Sequence, residues 1–126
     1  MPIRLTIYHP DRMIVGVASG EVTLVDLVGF FREVLDSGTL HYRKLIDITA
    51  AQPAITKKEL AAFTERIRIS RNERARGALA IVADSNRGEF ARFFIGLREG
   101  QMPETRVFRS IHEARRWLAS TPIDPE

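Results

Sequence analysis

The chain contains no cysteine in 126 residues. That absence excludes a disulfide framework, thiolate metal sites and a cysteine nucleophile, and it agrees with a reducing cytoplasm. Lysine is also scarce, with three lysines beside sixteen arginines. The net charge is only +3, a slight basis for a polyanionic partner, so nucleic acid is not favoured. No apolar run is long enough for a signal-peptide core or a membrane span, and a cytoplasmic protein with no membrane span is expected. Gly-x-Ser-x-Gly, phosphate-loop and dinucleotide fingerprints are missing, which leaves no recognised hydrolase or nucleotide site. His9, His41 and His112 fall in a turn, a loop and a helix start, without ligand spacing. Neither a metal nor a cofactor is expected, and the chain is read as a non-enzyme. Linkers, low-complexity tracts and internal repeats are lacking too, so residues 1–126 are read as one domain.

What remains is ordinary globular material, 44% hydrophobic and 28% charged, with clear periodicity. Residues 3–8 alternate apolar and polar and predict a half-exposed edge strand. A His-Pro-Asp-Arg turn leads to a second strand over 13–18, ended by Gly20, and the short connection makes the pair antiparallel. Thr23 with Asp26 caps a helix over 24–37, whose inner face is Leu24, Leu27, Val28, Phe31, Val34 and Leu35. Ser37-Gly38 stops it.

The central stretch is 43–56, Arg-Lys-Leu-Ile-Asp-Ile-Thr-Ala-Ala-Gln-Pro-Ala-Ile-Thr. Leu45, Ile46 and Ile48, interrupted only by Asp47, predict a strand over 43–48 covered on both faces. Pro53 is placed in the following loop. Thr56 with Glu59 is a capping-box signature for a helix from Lys57 to about Asn72, with Leu60, Phe63, Thr64 and Ile67 inward. A uniformly apolar strand follows over 78–83, then Asp84-Ser85-Asn86 as cap chemistry for a helix near 87–99. A short strand over 105–108 precedes the last helix, capped by Ser110 with Glu113. Its inner face is Ile111, Ala114, Trp117 and Leu118, with Trp117 mostly buried. The order is β-β-α-β-α-β-α-β-α: an α/β domain with a mainly parallel sheet of about five strands, an antiparallel N-terminal edge strand and four helices.

Several residues are candidates for chemistry. Asp47, Thr49, Asp84 and Ser85 gather at the carboxyl ends of adjacent strands, where open α/β sheets place ligands. Two carboxylates there suit a hydrated cation, or an enzyme using Asp47 and Asp84 across a cleft, although turn and cap chemistry is the favoured reading. Residues 66–76 carry Arg66, Arg68, Arg71, Arg74 and Arg76 against one glutamate. This run suits phosphate backbones or an acidic protein surface, with a solvated helix end preferred over any partner site.

The stretches Ala-Arg-Phe-Phe-Ile-Gly-Leu (91–97), Arg-Val-Phe-Arg-Ser-Ile-His-Glu-Ala-Arg-Arg-Trp-Leu (106–118) and Lys-Leu-Ile-Asp-Ile-Thr (44–49) resemble the SpoIIAA-like STAS family of small bacterial domains. The resemblance spans roughly residues 10–119 and rests on packing residues. It implies a SpoIIAA-like fold and a non-catalytic regulatory module that works by protein–protein contact. Anti-sigma-factor antagonists of that family carry a phosphorylatable Ser or Thr after the central strand, at the start of the next helix. The matching position is Thr56, preceded by Ile55 rather than Asp and followed by Lys57 rather than Gly; Thr49 is a second candidate. For Thr56 the helix-cap reading is favoured. The chain also looks similar to the CRAL-TRIO lipid-transfer class, which implies a carrier of a small apolar ligand as the alternative function.

A homodimer is expected as well. Sequentially ordered strands with right-handed crossovers place most connecting helices on one face, so the other face needs the helix next to the hairpin, the last helix or a second subunit. Phe30 and Ile95, off the inner stripes of their helices, extend that proposed surface.

Overall fold

The structure is a computed structural model that describes residues 2–39, 41–69, 77–84 and 105–122, without the side chains of 64 and 66–69. Its strands are β1 (Ile3–Tyr8), β2 (Met13–Val22), β3 (Arg43–Pro53), β4 (Leu79–Val82) and β5 (Thr105–Phe108). Its helices are α1 (Leu24–Ser37), α2 (Lys57–Ile69) and α3 (Ile111–Ala119). The strands form one sheet in the order β1-β2-β3-β4-β5, with β1 antiparallel to β2 and every other neighbour parallel. The described residues hold three helices; the helix expected near 87–99 lies outside them.

The helix boundaries follow the local chemistry. Thr23 and Asp26 form both halves of a capping box, and Gly38 closes α1 in the left-handed conformation with φ 72°. Ser110 Oγ accepts from the N–H groups of His112 and Glu113 at the start of α3.

Alternation along the strands sorts the core into two clusters. On one face Ile14, Ala18, Ile46, Ile48, Leu79 and Ile81 pack beneath Leu27, Phe30 and Val34 of α1 and Phe63 of α2. On the other face Val15, Leu45, Ala80 and Val82 pack beneath Ala114 and Leu118 of α3. The central strand is therefore covered on both sides, and the last helix supplies the second cover from within the same chain.

Four residues depart from the sequence expectation. Phe30 is core, not surface: it is 5% exposed, whereas Leu35 is 54% exposed. The side-chain-free Gly16 in β2 leaves room for the Phe30 ring, which turns α1 toward that gap. A surface built on Phe30 is thereby ruled out, and Ile95 lies outside the described residues. Trp117 is half-buried against Phe108 rather than enclosed, and Ile111 is 39% exposed, because α3 presents mainly Ala114 and Leu118 to the sheet.

The strands β2 and β3 also run on to Val22 and Pro53, past the expected ends at Ala18 and Ile48. Gly20, with φ 69°, lies within β2 rather than ending it, and Pro53 is the last residue of β3. The physical reason is a bulge. Pairing runs in step to Val17↔Asp47 and resumes at Ser19↔Ala50, so β3 carries one residue more than β2. The extra residue shifts the phase of β3, and Ala51 points into the same core as Ile48. Since β4 pairs with β3 only as far as Asp47↔Val82, the end of the β2–β3 pair projects beyond the rest of the sheet.

Candidate functional site

The candidate residues lie along β3 and the corner that joins it to α2. Asp47 sits at the last position where β3 has strand partners on both sides, Val17 and Val82. Directly after it comes the bulge, where the ladder slips and a backbone N–H loses its regular partner. Asp47 Oδ1 accepts that N–H from Thr49 at 3.0 Å and the Thr49 hydroxyl at 2.7 Å. The pair is thus a local brace for the bulge. Thr49 belongs to β3 and not to a loop, with its hydroxyl already donated.

Asp84 is exposed and lies two residues past Val82, the β4 partner of Asp47. Strand register therefore places Asp84 just past the level of Asp47, beyond the end of β4, whereas β3 itself runs on to Pro53. Ser85 lies outside the described residues. Among the described residues no group of three or more His, Asp or Glu side chains is arranged to hold a metal ion.

Thr56 occupies a different place. From Asp47 to Pro53 the strand advances roughly 20 Å at about 3.3 Å per residue, so Thr56 is remote from the Asp47 brace. Thr56 is exposed and forms a reciprocal capping box: its N–H donates to Glu59 Oε1 at 2.9 Å, and Glu59 N–H donates to Thr56 Oγ1 at 3.0 Å. Around it Gln52, Pro53, Ala54, Lys57 and Lys58 are also exposed. Two of the chain's three lysines therefore stand at the amino end of α2, where the helix already carries positive partial charge.

The arginine run divides. Arg66 and Arg68 belong to α2, whose side chains are undescribed there, while Arg71, Arg74 and Arg76 lie outside the described residues.

Two arrangements were not legible beforehand. At the opposite end of the sheet, His9 Nδ1 and the Tyr42 hydroxyl are 2.9 Å apart, and the rings of His9 and His41 both meet Tyr42 edge-on. Thirty-three residues separate His9 from Tyr42, so no spacing signal announces the contact. Around α3, Arg106 stands 5.5 Å above the Trp117 ring, and Arg116 Nη2 lies 2.9 Å from His112 Nε2. The i, i+4 spacing of His112 and Arg116 was the available clue there.

No family model and no curated protein matches the chain. Among solved structures it is similar to a DUF3478-family protein from Shewanella loihica PV-4, a crystal structure with a SpoIIAA-like fold. The two share 20% identity and a TM-score of 0.61, over 92% of this chain and 91% of that one. Likeness at that level carries architecture and no activity. Together with the mixed five-stranded sheet and its strand order, it establishes that this chain has the SpoIIAA-like fold.

Proposed function

We propose that the protein is a non-catalytic regulatory module that works by protein–protein contact at the β3–α2 corner. The observation that carries this reading is the corner itself: a projecting strand end and an exposed helix start, with Thr56, Lys57 and Lys58 together on the surface. Helix polarity and the two lysines make it attractive to an acidic protein surface. It also coincides with the position at which the STAS resemblance places regulation. Asp47 and Thr49 serve the bulge in this reading, and Thr56 serves as the cap of α2.

Affinity capture from the host's own extract tests the proposal. A protein retained by the wild type and lost with Lys57→Glu/Lys58→Glu supports it. A lipid that co-purifies in native mass spectrometry, together with capture unaffected by those substitutions, overturns it in favour of the apolar-ligand carrier.

A further inference from the structure

We propose that two copies of this chain join edge to edge through β1, with Leu5 of one copy opposite Leu5 of the other. This rests on strand geometry alone and is independent of the regulatory reading.

Among the described residues β1 has one strand neighbour, β2, and no strand pairs with its far edge. The direction of its backbone groups can be read from the ladder. Ser19 N–H donates to the Pro2 carbonyl at 2.8 Å, and the same register continues as Ile3↔Ala18 and Arg4↔Val17. Hydrogen-bonded pairs recur at every second residue in an antiparallel ladder. Arg4, Thr6 and Tyr8 therefore bond inward to β2, and Ile3, Leu5 and Ile7 turn their N–H and C=O groups outward.

Natural sheets guard such an edge with proline, lysine, bulges or very short strands. Within Ile3–Tyr8 the pairing is regular over six residues, and Arg4 is the one charged side chain. Leu5 and Ile7 are only partly buried against the α1 side of the core. A neighbouring strand that carries the same residues would extend that apolar strip.

A second copy suits this edge better in one register than in its neighbours. Antiparallel pairing of a strand with itself is self-complementary about a two-fold axis. When the axis passes through Leu5, Ile3 faces Ile7 of the other copy, and all three outward-turned residues are paired. Arg4 then faces Thr6. Moving the axis to Arg4 sets two arginines directly opposite, which is unfavourable. Moving it to Thr6 removes Ile3 from the pairing. The Leu5-centred register thus combines complete backbone pairing with separated charges, and the two sheets become one continuous sheet.

The cysteine-free chain allows a clean test. Wild-type protein in sedimentation equilibrium between about 1 and 100 μM is expected to rise from 14.3 kDa toward twice that mass. A hydrogen-bonded antiparallel pair holds its Cα atoms about 5.5 Å apart, inside the disulfide range of about 4.4–6.8 Å. Leu5→Cys should therefore give a covalent dimer on mild oxidation. Thr6→Cys should not, since its copy lies on a diagonal at roughly 7–8 Å. Leu5→Pro removes an outward donor that β2 does not use and should leave a folded monomer. A wild-type mass that stays at 14.3 kDa throughout the range overturns the proposal. Cross-linking of Thr6→Cys in preference to Leu5→Cys overturns the register and with it the proposal.

Discussion

Phe30 of α1 occupies the space left by the missing side chain of Gly16 in β2: a Cβ there would come within 3.0 Å of the Phe30 ring and 3.2 Å of Ile46 Cδ1. Phe30 is 5% exposed beneath its helix, so helix and sheet are closely packed at this position. Gly16→Ala should accordingly cost about 1–3 kcal/mol through overpacking. Urea unfolding reads the loss as a lower midpoint at unchanged slope. In Phe30→Leu the same substitution should cost less, and the difference measures the coupling.

Gly77 is held by backbone rather than by a ring. A Cβ on it would fall on the Tyr42 carbonyl, next to the point where Lys44 N–H donates to the Ala78 carbonyl at 2.8 Å. A side-chain tip can move aside and a paired strand cannot. Gly77→Ala should therefore cost about 3 kcal/mol, the upper end for overpacking, and exceed Gly16→Ala in the same thermal or urea assay.

Arg43 ties α3 and the β1–β2 turn to the sheet. Its Nη1 donates to the Leu118 carbonyl at the end of α3 at 2.9 Å, and its Nη2 donates to the Asp11 carbonyl in the β1–β2 turn at 2.6 Å. Arg43 is 7% exposed, and its Nε makes no hydrogen bond. A lysine head is a single point donor and cannot reach both carbonyls in that fork. Arg43→Lys should lose about 1.5–3 kcal/mol, the usual worth of a charged hydrogen bond. Hydrogen exchange should localise the loosening to α3 and the turn.

The candidate site divides by the same logic. With Thr56 as a cap, Thr56→Ala should lose about 1 kcal/mol and leave partner capture intact. Asp47→Ala removes the acceptor for two Thr49 donors and should cost about 1–3 kcal/mol. Phosphate found on Thr56 or Thr49 in protein from its own host would instead identify a switch, and mass spectrometry of the purified protein decides the matter.

Trp117 reports on α3. Its ring centroid lies 5.6 Å from that of Phe108, and the Arg106 guanidinium carbon lies 5.5 Å from the Trp117 centroid. Native fluorescence should be intermediate between buried and solvated tryptophan, with a red shift on unfolding. Arg106→Ala should move the native emission because it uncovers the ring.

Much of the architecture was legible along the chain because its causes are local. Thr23 with Asp26 and Thr56 with Glu59 cap their helices from three residues away, and Gly38 ends α1 through its own backbone freedom. Alternation in residues 3–8 and the apolar runs around Leu45 and Ala80 specified strands and their covered faces. The tertiary structure decided where separate segments had to fit one another. The rotation of α1 depends on Gly16, fourteen residues before Phe30, and the length of β3 depends on a bulge that only its pairing with β2 creates. The same holds for the candidate residues: Asp47 and Thr49 read as a strand end by spacing, but ladder slippage turns them into a brace. Periodicity records which side of its own element a residue faces; the gap, register or backbone it meets there is set by the partner element, which no local pattern encodes.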